Sequence, residues 1–140
     1  MGFELDDVVF DLTLENLAIM DLGIEVAHEG YERGLQRLAV SAEALVIVFV
    51  SPPWGAALDE VVGLDLRRTT PPVAEIVALA KDALAHNKVL FAIQAYELVE
   101  PESLTELTRL FDWSAFNVYD INPYAKNPAL VLGTVGWTPA

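Results

Sequence analysis

Five consecutive residues, Ser51-Pro52-Pro53-Trp54-Gly55, hold the densest chemistry in the chain. Two successive prolines stiffen the backbone and remove two N–H donors, which leaves the carbonyls around them as acceptors with no local partner. Beside a serine hydroxyl such carbonyls suit a planar amino group, because both hydrogens of an exocyclic NH2 can be held while its lone pair faces an incoming group. Ser51 supplies one acceptor, and the Ser51 or Pro52 carbonyl the other. Trp54 offers a flat face for stacking a nucleobase, worth about 1–3 kcal/mol per base. Gly55 is expected to let the backbone pass close to that ring. The bland alternative is a rigid turn with a packing tryptophan.

What must position these residues is the run before them. Residues 45–50 read Leu-Val-Ile-Val-Phe-Val, apolar at every position, as expected of a central parallel strand covered on both faces. In an open α/β sheet ligands bind outside the carboxyl ends of such strands, which is where Ser51 falls. Pro71 and Pro72 open a helix with Val73, Ile76, Val77, Ala80 and Leu84 on one face, ending near His86 and Asn87. Residues 89–93 form a second buried strand with Tyr96 at its end, lining the crevice. Pro101 starts another helix through Leu104, Leu107 and Leu110. The last third holds a strand over 116–121, a turn over 122–128 and a strand over 129–135, joined so tightly that the pair must be antiparallel.

Upstream, residues 8–12 read as a strand ending in Asp11, followed by a brief helix capped by Thr13, a weak strand over 24–27 and a helical turn or two over 31–38. The alternation predicts a single α/β domain over residues 1–140, with helices on both faces of a mostly parallel sheet and a closing antiparallel hairpin.

Composition narrows the partners. The chain carries 21 acids against 8 basic residues, a net charge of −13, so its field repels long nucleic acid. A single base-like amine is not excluded by that field. No apolar run reaches the ~18 residues of a membrane span, and the start lacks the basic and apolar regions of a secretory signal. With no cysteine there is no disulfide framework, and the expected compartment is the cytoplasm. No metal site is expected: His28 and His86 have no metal-ligand spacing, and a structural role suits each. Arg67 and Arg68, the one adjacent basic pair, either grip a ligand in the crevice or balance Asp59, Glu60 and Asp65. Asp120, Asn122, Pro123 and Tyr124 form either a second amide-binding turn or simply a turn. Trp113 and Trp137 are expected to pack the core or hairpin.

The stretch Val48-Phe49-Val50-Ser51-Pro52-Pro53-Trp54-Gly55 resembles motif IV of class I S-adenosylmethionine-dependent methyltransferases acting on amino groups, most nearly the RNA cap guanine-N2 (trimethylguanosine synthase) type. Leu64-Asp65-Leu66-Arg67-Arg68-Thr69 is similar to that family's Phe-Asp-Ile-Arg-Thr stretch, and the later elements fall in family order. The resemblance implies a Rossmann-like fold and methylation of a nucleobase-like amine. It places Ser51, Pro52 and Pro53 at the reacting amine, Trp54 and Gly55 at the base, Arg67 and Tyr96 as further substrate contacts, and Asp11 at the ribose of S-adenosylmethionine.

The family's first strand ends in a Gly-x-Gly loop, yet the eight glycines here include no two separated by one residue. The chain is therefore expected to match the family fold without its first strand and to be inactive alone. That strand lies centrally, so its loss predicts that residues 3–12 or a second chain fill the slot, as a homo-oligomer or with a complementing subunit. The alternative reading is a non-catalytic nucleotide-binding or partner-subunit protein derived from a methyltransferase.

Overall fold

The computed structural model describes residues 1–120 and 127–140, and divides into two compact units, Met1–Ala39 and Val40–Ala140. In the first unit strand β1 (Gly2–Glu4) is followed by helix α1 (Asp7–Ile19), strand β2 (Val26–His28), parallel to β1, and helix α2 (Tyr31–Arg37).

Residues 8–12, expected to be a strand, are helical. The Asp6 carboxylate accepts from the backbone N–H groups of Val8 and Val9 at 2.9 and 3.0 Å, satisfying donors that an opening helical turn leaves orphaned. Asp7 adds a favourable charge to the same turn. This cap outweighs the strand preference of Val8 and Val9. Thr13, expected at the cap, lies inside the helix and donates its hydroxyl proton to the Val9 carbonyl at 2.7 Å. Asp11 is therefore an exposed mid-helix residue, not a strand-end acid. His28 stacks on Phe10 with ring centroids 4.6 Å apart, and its Nε2 lies 3.0 Å from Asp7 Oδ1, a structural setting.

The second unit begins with strand β3 (Leu45–Val50), a 3-10 turn (Gly55–Ala57) and the short antiparallel pair β4 (Leu58–Asp59) and β5 (Gly63–Leu64). Helix α3 (Val73–Ala83), strand β6 (Lys88–Tyr96), helix α4 (Pro101–Thr108) and strands β7 (Trp113–Val118) and β8 (Pro128–Val135) follow. The four-stranded sheet has the order β3-β6-β8-β7. The one parallel ladder of this sheet joins β3 and β6, which are connected through α3; β8 inserts between β6 and β7 and is antiparallel to both. The protein is thus mixed α/β with four helices among the described residues, but its sheet is mixed, not mostly parallel as expected. The closing hairpin contributes two antiparallel ladders where the crossover contributes one parallel ladder.

The core forms where side chains align across the strands. Phe91, Ile93 and Ala95 of β6 stand opposite Gly133, Val131 and Ala129 of β8, and all six are buried. Helix α3 buries Val73, Val77 and Ala80 on one stripe, continued by Leu84, as the sequence periodicity predicts. Trp137 donates its indole N–H to the Val89 carbonyl at 3.1 Å, so its role is packing.

Strand β3 departs from expectation: it lies at one end of the sheet, not centrally. Its apolar run alternates in exposure. Val50 is buried at 5%, whereas Leu45, Ile47 and Phe49 are 54%, 66% and 64% exposed. Residues 3–12 do not fill the slot beside it, because β1 pairs with β2 and residues 7–12 belong to α1. Among the described residues no strand pairs with the outer edge of β3.

Gly133 has a packing reason. A Cβ there would lie 2.4 Å from atoms of the Phe111 ring, which sits 5.4 Å from the Phe91 ring between centroids. Gly133→Ala must displace that ring and should destabilise the protein by about 1–3 kcal/mol in urea unfolding. Gly23→Ala, where a Cβ would meet nothing within 4 Å, should be near neutral; equal effects would refute this packing account.

Candidate functional site

The bend after β3 lies at the carboxyl end of the parallel pair, as the sequence predicts. Register places Val50 beside Ile93, so Ser51 and Gln94 are the next lateral neighbours. Their side chains meet: the Ser51 hydroxyl donates to Gln94 Oε1. Pro52 is buried, Ser51 and Pro53 are exposed, and Trp54 is half-buried. A buried Pro52 anchors the bend while its neighbours stay open to solvent. Among the described residues no backbone hydrogen bond falls on the Pro52 or Pro53 carbonyl.

Trp54 leans on Tyr96, with ring centroids 6.2 Å apart and planes at 48°. Tyr96 closes β6 and is only 6% exposed, so it backs the indole more than it offers a face of its own. The Trp54 carbonyl accepts from Ala57 N–H at 2.7 Å, closing the 3-10 turn that follows. Gly55 serves that turn through its backbone. Its φ is +45° and a Cβ there would meet nothing within 4 Å, so the left-handed conformation, not room for the ring, explains the glycine.

Arg67 stands elsewhere in its interactions. Its Nε and Nη2 bind Asp65 at 2.9 and 3.1 Å, Nη2 also binds Glu100 at 3.0 Å, and Nη1 binds Glu102 and Glu106 at 3.3 and 3.4 Å. A guanidinium has five N–H donors, and these contacts engage all of them. Of the two roles open to this arginine, the geometry is that of charge balance, with Glu100, Glu102 and Glu106 joining Asp65. Asp11 lies on α1, within the first unit.

The same carboxylates build the local fold. Glu100 caps α4 by accepting from Glu102 and Ser103 N–H at 3.1 and 2.6 Å. Leu66 N–H in turn donates to Ser103 Oγ at 3.3 Å. The loop leaving the bend is therefore fastened to the start of α4 by both backbone and charge. The Arg67 guanidinium hydrogen-bonded to Asp65 holds that carboxyl below its ordinary value of 3.8, against the upward push of partial burial. In return Asp65 raises the Arg67 pKa further.

Gln94 was not singled out from sequence, although one amide inside the apolar strand Lys88–Tyr96 was the available signal. Asn127, which donates to Glu97 Oε2 at 2.9 Å, was also missed. The turn expected over Asn122, Pro123 and Tyr124 lies outside the described residues. Among the described residues no three His, Asp or Glu side chains group as a metal site, and no helix is long and apolar enough to cross a membrane. No family model matches the chain, and a search of curated proteins finds no significant match.

A carboxyl whose pKa is lowered on folding contributes stability above its unfolded value and loses it as pH falls through the folded one. Melting temperatures of the protein and of Asp65→Asn should therefore differ most above pH 5 and converge as pH drops below 3.8. A gap that persists unchanged to pH 2 would show that ionised Asp65 does not hold this loop.

Proposed function

We propose that this chain is the acceptor-binding component of a methyltransferase-like system that acts on the amino group of a nucleobase-like molecule. The observation that carries the reading is the open bend at the end of β3, which brings the exposed Ser51 hydroxyl, two proline carbonyls without a backbone partner among the described residues and the half-buried Trp54 ring into one short stretch. Ser51 and the carbonyls hold the amine hydrogens, and Trp54 stacks on the ring. The β3-β6-β8-β7 order, a parallel pair extended by an antiparallel hairpin, supports a relation to the later half of a Rossmann-like methyltransferase.

The residues at hand do not fit a complete holder for S-adenosylmethionine. Asp11 is on an exposed helical turn, and no Gly-x-Gly occurs in the 140 residues. The methyl donor is accordingly held by groups beyond those assembled here, and this chain's part is positional: binding, stacking and orienting the amine. Calorimetric titration of the chain alone with S-adenosylmethionine should show no binding at millimolar concentration. Cytidine should bind, and Trp54→Ala should weaken it about tenfold or more, the loss of one base stack. Unchanged affinity in Trp54→Ala would discard the stacking role, and tight cofactor binding would discard the division of labour.

A second reading, a non-catalytic partner subunit, is favoured by the exposed Leu45, Ile47 and Phe49 on an unpaired edge strand, since apolar edges of this kind pair with other chains. On this reading a second copy covers the strand. Sedimentation should detect association that strengthens with salt, as repulsion between copies of charge −13 is screened, and Ile47→Glu should abolish it. A protein that stays monomeric at high concentration and high salt would overturn self-association.

A further inference from the structure

Among the described residues Gln94 is the one polar side chain directly bonded to Ser51, and the direction of that bond has a chemical consequence. The Ser51 hydroxyl has a single proton and gives it to Gln94 Oε1. Ser51 Oγ therefore meets any further group as an acceptor only. The Gln94 oxygen is engaged, while its Nε2 keeps two N–H donors that no other described residue takes. Side by side at the end of the parallel pair, the two residues present one acceptor and one donor.

We propose that Gln94 is the specificity-determining residue of this site. Ser51 Oγ accepts a proton of the ligand's amino group while the Gln94 N–H pair donates to an acceptor atom next to that amine, so the site selects a flat ring in which an amino group neighbours a ring acceptor. A ring with a carbonyl and a ring N–H in those two positions presents the opposite pattern and sets acceptor against acceptor and donor against donor. Such mismatches leave polar groups unpaired and discriminate more strongly than size alone. The ligand is also free of phosphate. Arg67, the basic residue nearest in sequence to the bend, has all five donors engaged by Asp65, Glu100, Glu102 and Glu106, and the net charge is −13. This inference rests on the reading of the bend as an amine-binding site, though not on methyl transfer.

Cytidine and uridine test it. They differ in the amino or carbonyl group and the adjoining ring nitrogen, they stack alike on Trp54, and neither shares a ring with an adenosyl cofactor. Titration of the full chain, followed by NMR shifts of backbone amides, should show cytidine binding at least tenfold tighter than uridine, and CMP no tighter than cytidine. Gln94→Glu retains an acceptor for the Ser51 hydroxyl but lacks the N–H pair, and should reduce the cytidine preference to threefold or less. Gln94→Met, of similar length and without donors, should do the same if the charged variant does not fold.

Equal affinity for the two nucleosides in the unaltered protein, a preference that survives both substitutions, or no binding of either at millimolar concentration would overturn the proposal. CMP binding tenfold tighter than cytidine would overturn the phosphate-free class. The two readings fail separately. Cytidine selectivity that depends on Gln94, in a protein that takes no part in methyl transfer, sinks the methyltransferase reading alone. Methyl transfer to an amine with no neighbouring acceptor sinks this inference alone.

Discussion

The parallel ladder between β3 and β6 is the constraint on which the site depends. Leu45 pairs with Lys88 and Val50 with Ile93, and a strand's side chains alternate between faces. Val46, Val48 and Val50 share one face with Val89, Phe91 and Ile93, the face that becomes core; Leu45, Ile47 and Phe49 share the other with Lys88, Leu90 and Ala92. A slip of one residue would turn the buried set outward, so burial of Phe91 and Ile93, both 0% exposed, locks the register. The same lock brings Ser51 alongside Gln94. Core packing and the polar pair are thus two consequences of one alignment, since the register that pairs Val50 with Ile93 also sets Ser51 beside Gln94.

The loop beyond the bend is held differently, by charge. Arg67 gathers Asp65, Glu100, Glu102 and Glu106, and its side chain is 37% exposed, so water and salt weaken each pair. The arrangement is a fastening shared among several modest contacts, reinforced by Ser103 and by the Glu100 cap of α4. It also removes a cation from the pool that could meet a ligand. In a chain with so few basic residues, spending one guanidinium on structure shifts recognition at the bend toward hydrogen bonding and stacking.

The sequence was most legible where a single local rule governs. The stripe of Val73, Val77, Ala80 and Leu84 marks α3, the all-apolar run marks β3, and two strands a short connection apart mark the antiparallel hairpin. Reading failed where two rules competed. Val8-Val9-Phe10 favours strand by residue type, but Asp6 supplies a cap that makes a helix cheaper, and the acid expected at a strand end became an exposed helical residue. The apolarity of residues 45–50 implied cover on both faces; in the structure that run is an edge strand with one face open, and apolarity by itself does not say whether the covering element belongs to the same chain. Gln94 could have been noticed as an amide among Phe91, Ile93 and Tyr96. Its importance, however, comes from a neighbour 43 residues away, which only strand order and register reveal.

Charge and geometry at the bend point the same way. A site that relied on ion pairing with an anionic ligand would need a free cation, and the Arg67 guanidinium is taken up by Asp65, Glu100, Glu102 and Glu106. What remains at the end of β3 is a hydroxyl, an amide, two proline carbonyls and an indole. Each of these is directional and neutral. Their selectivity comes from whether a ligand's donors and acceptors meet theirs in order, since a polar group that a bound ligand covers and leaves unpaired costs about 1–3 kcal/mol while a matched pair gains much less over water. Recognition by such a set depends on alignment held to about 0.5 Å, and the β3–β6 register together with buried Pro52 fixes the backbone on either side of it.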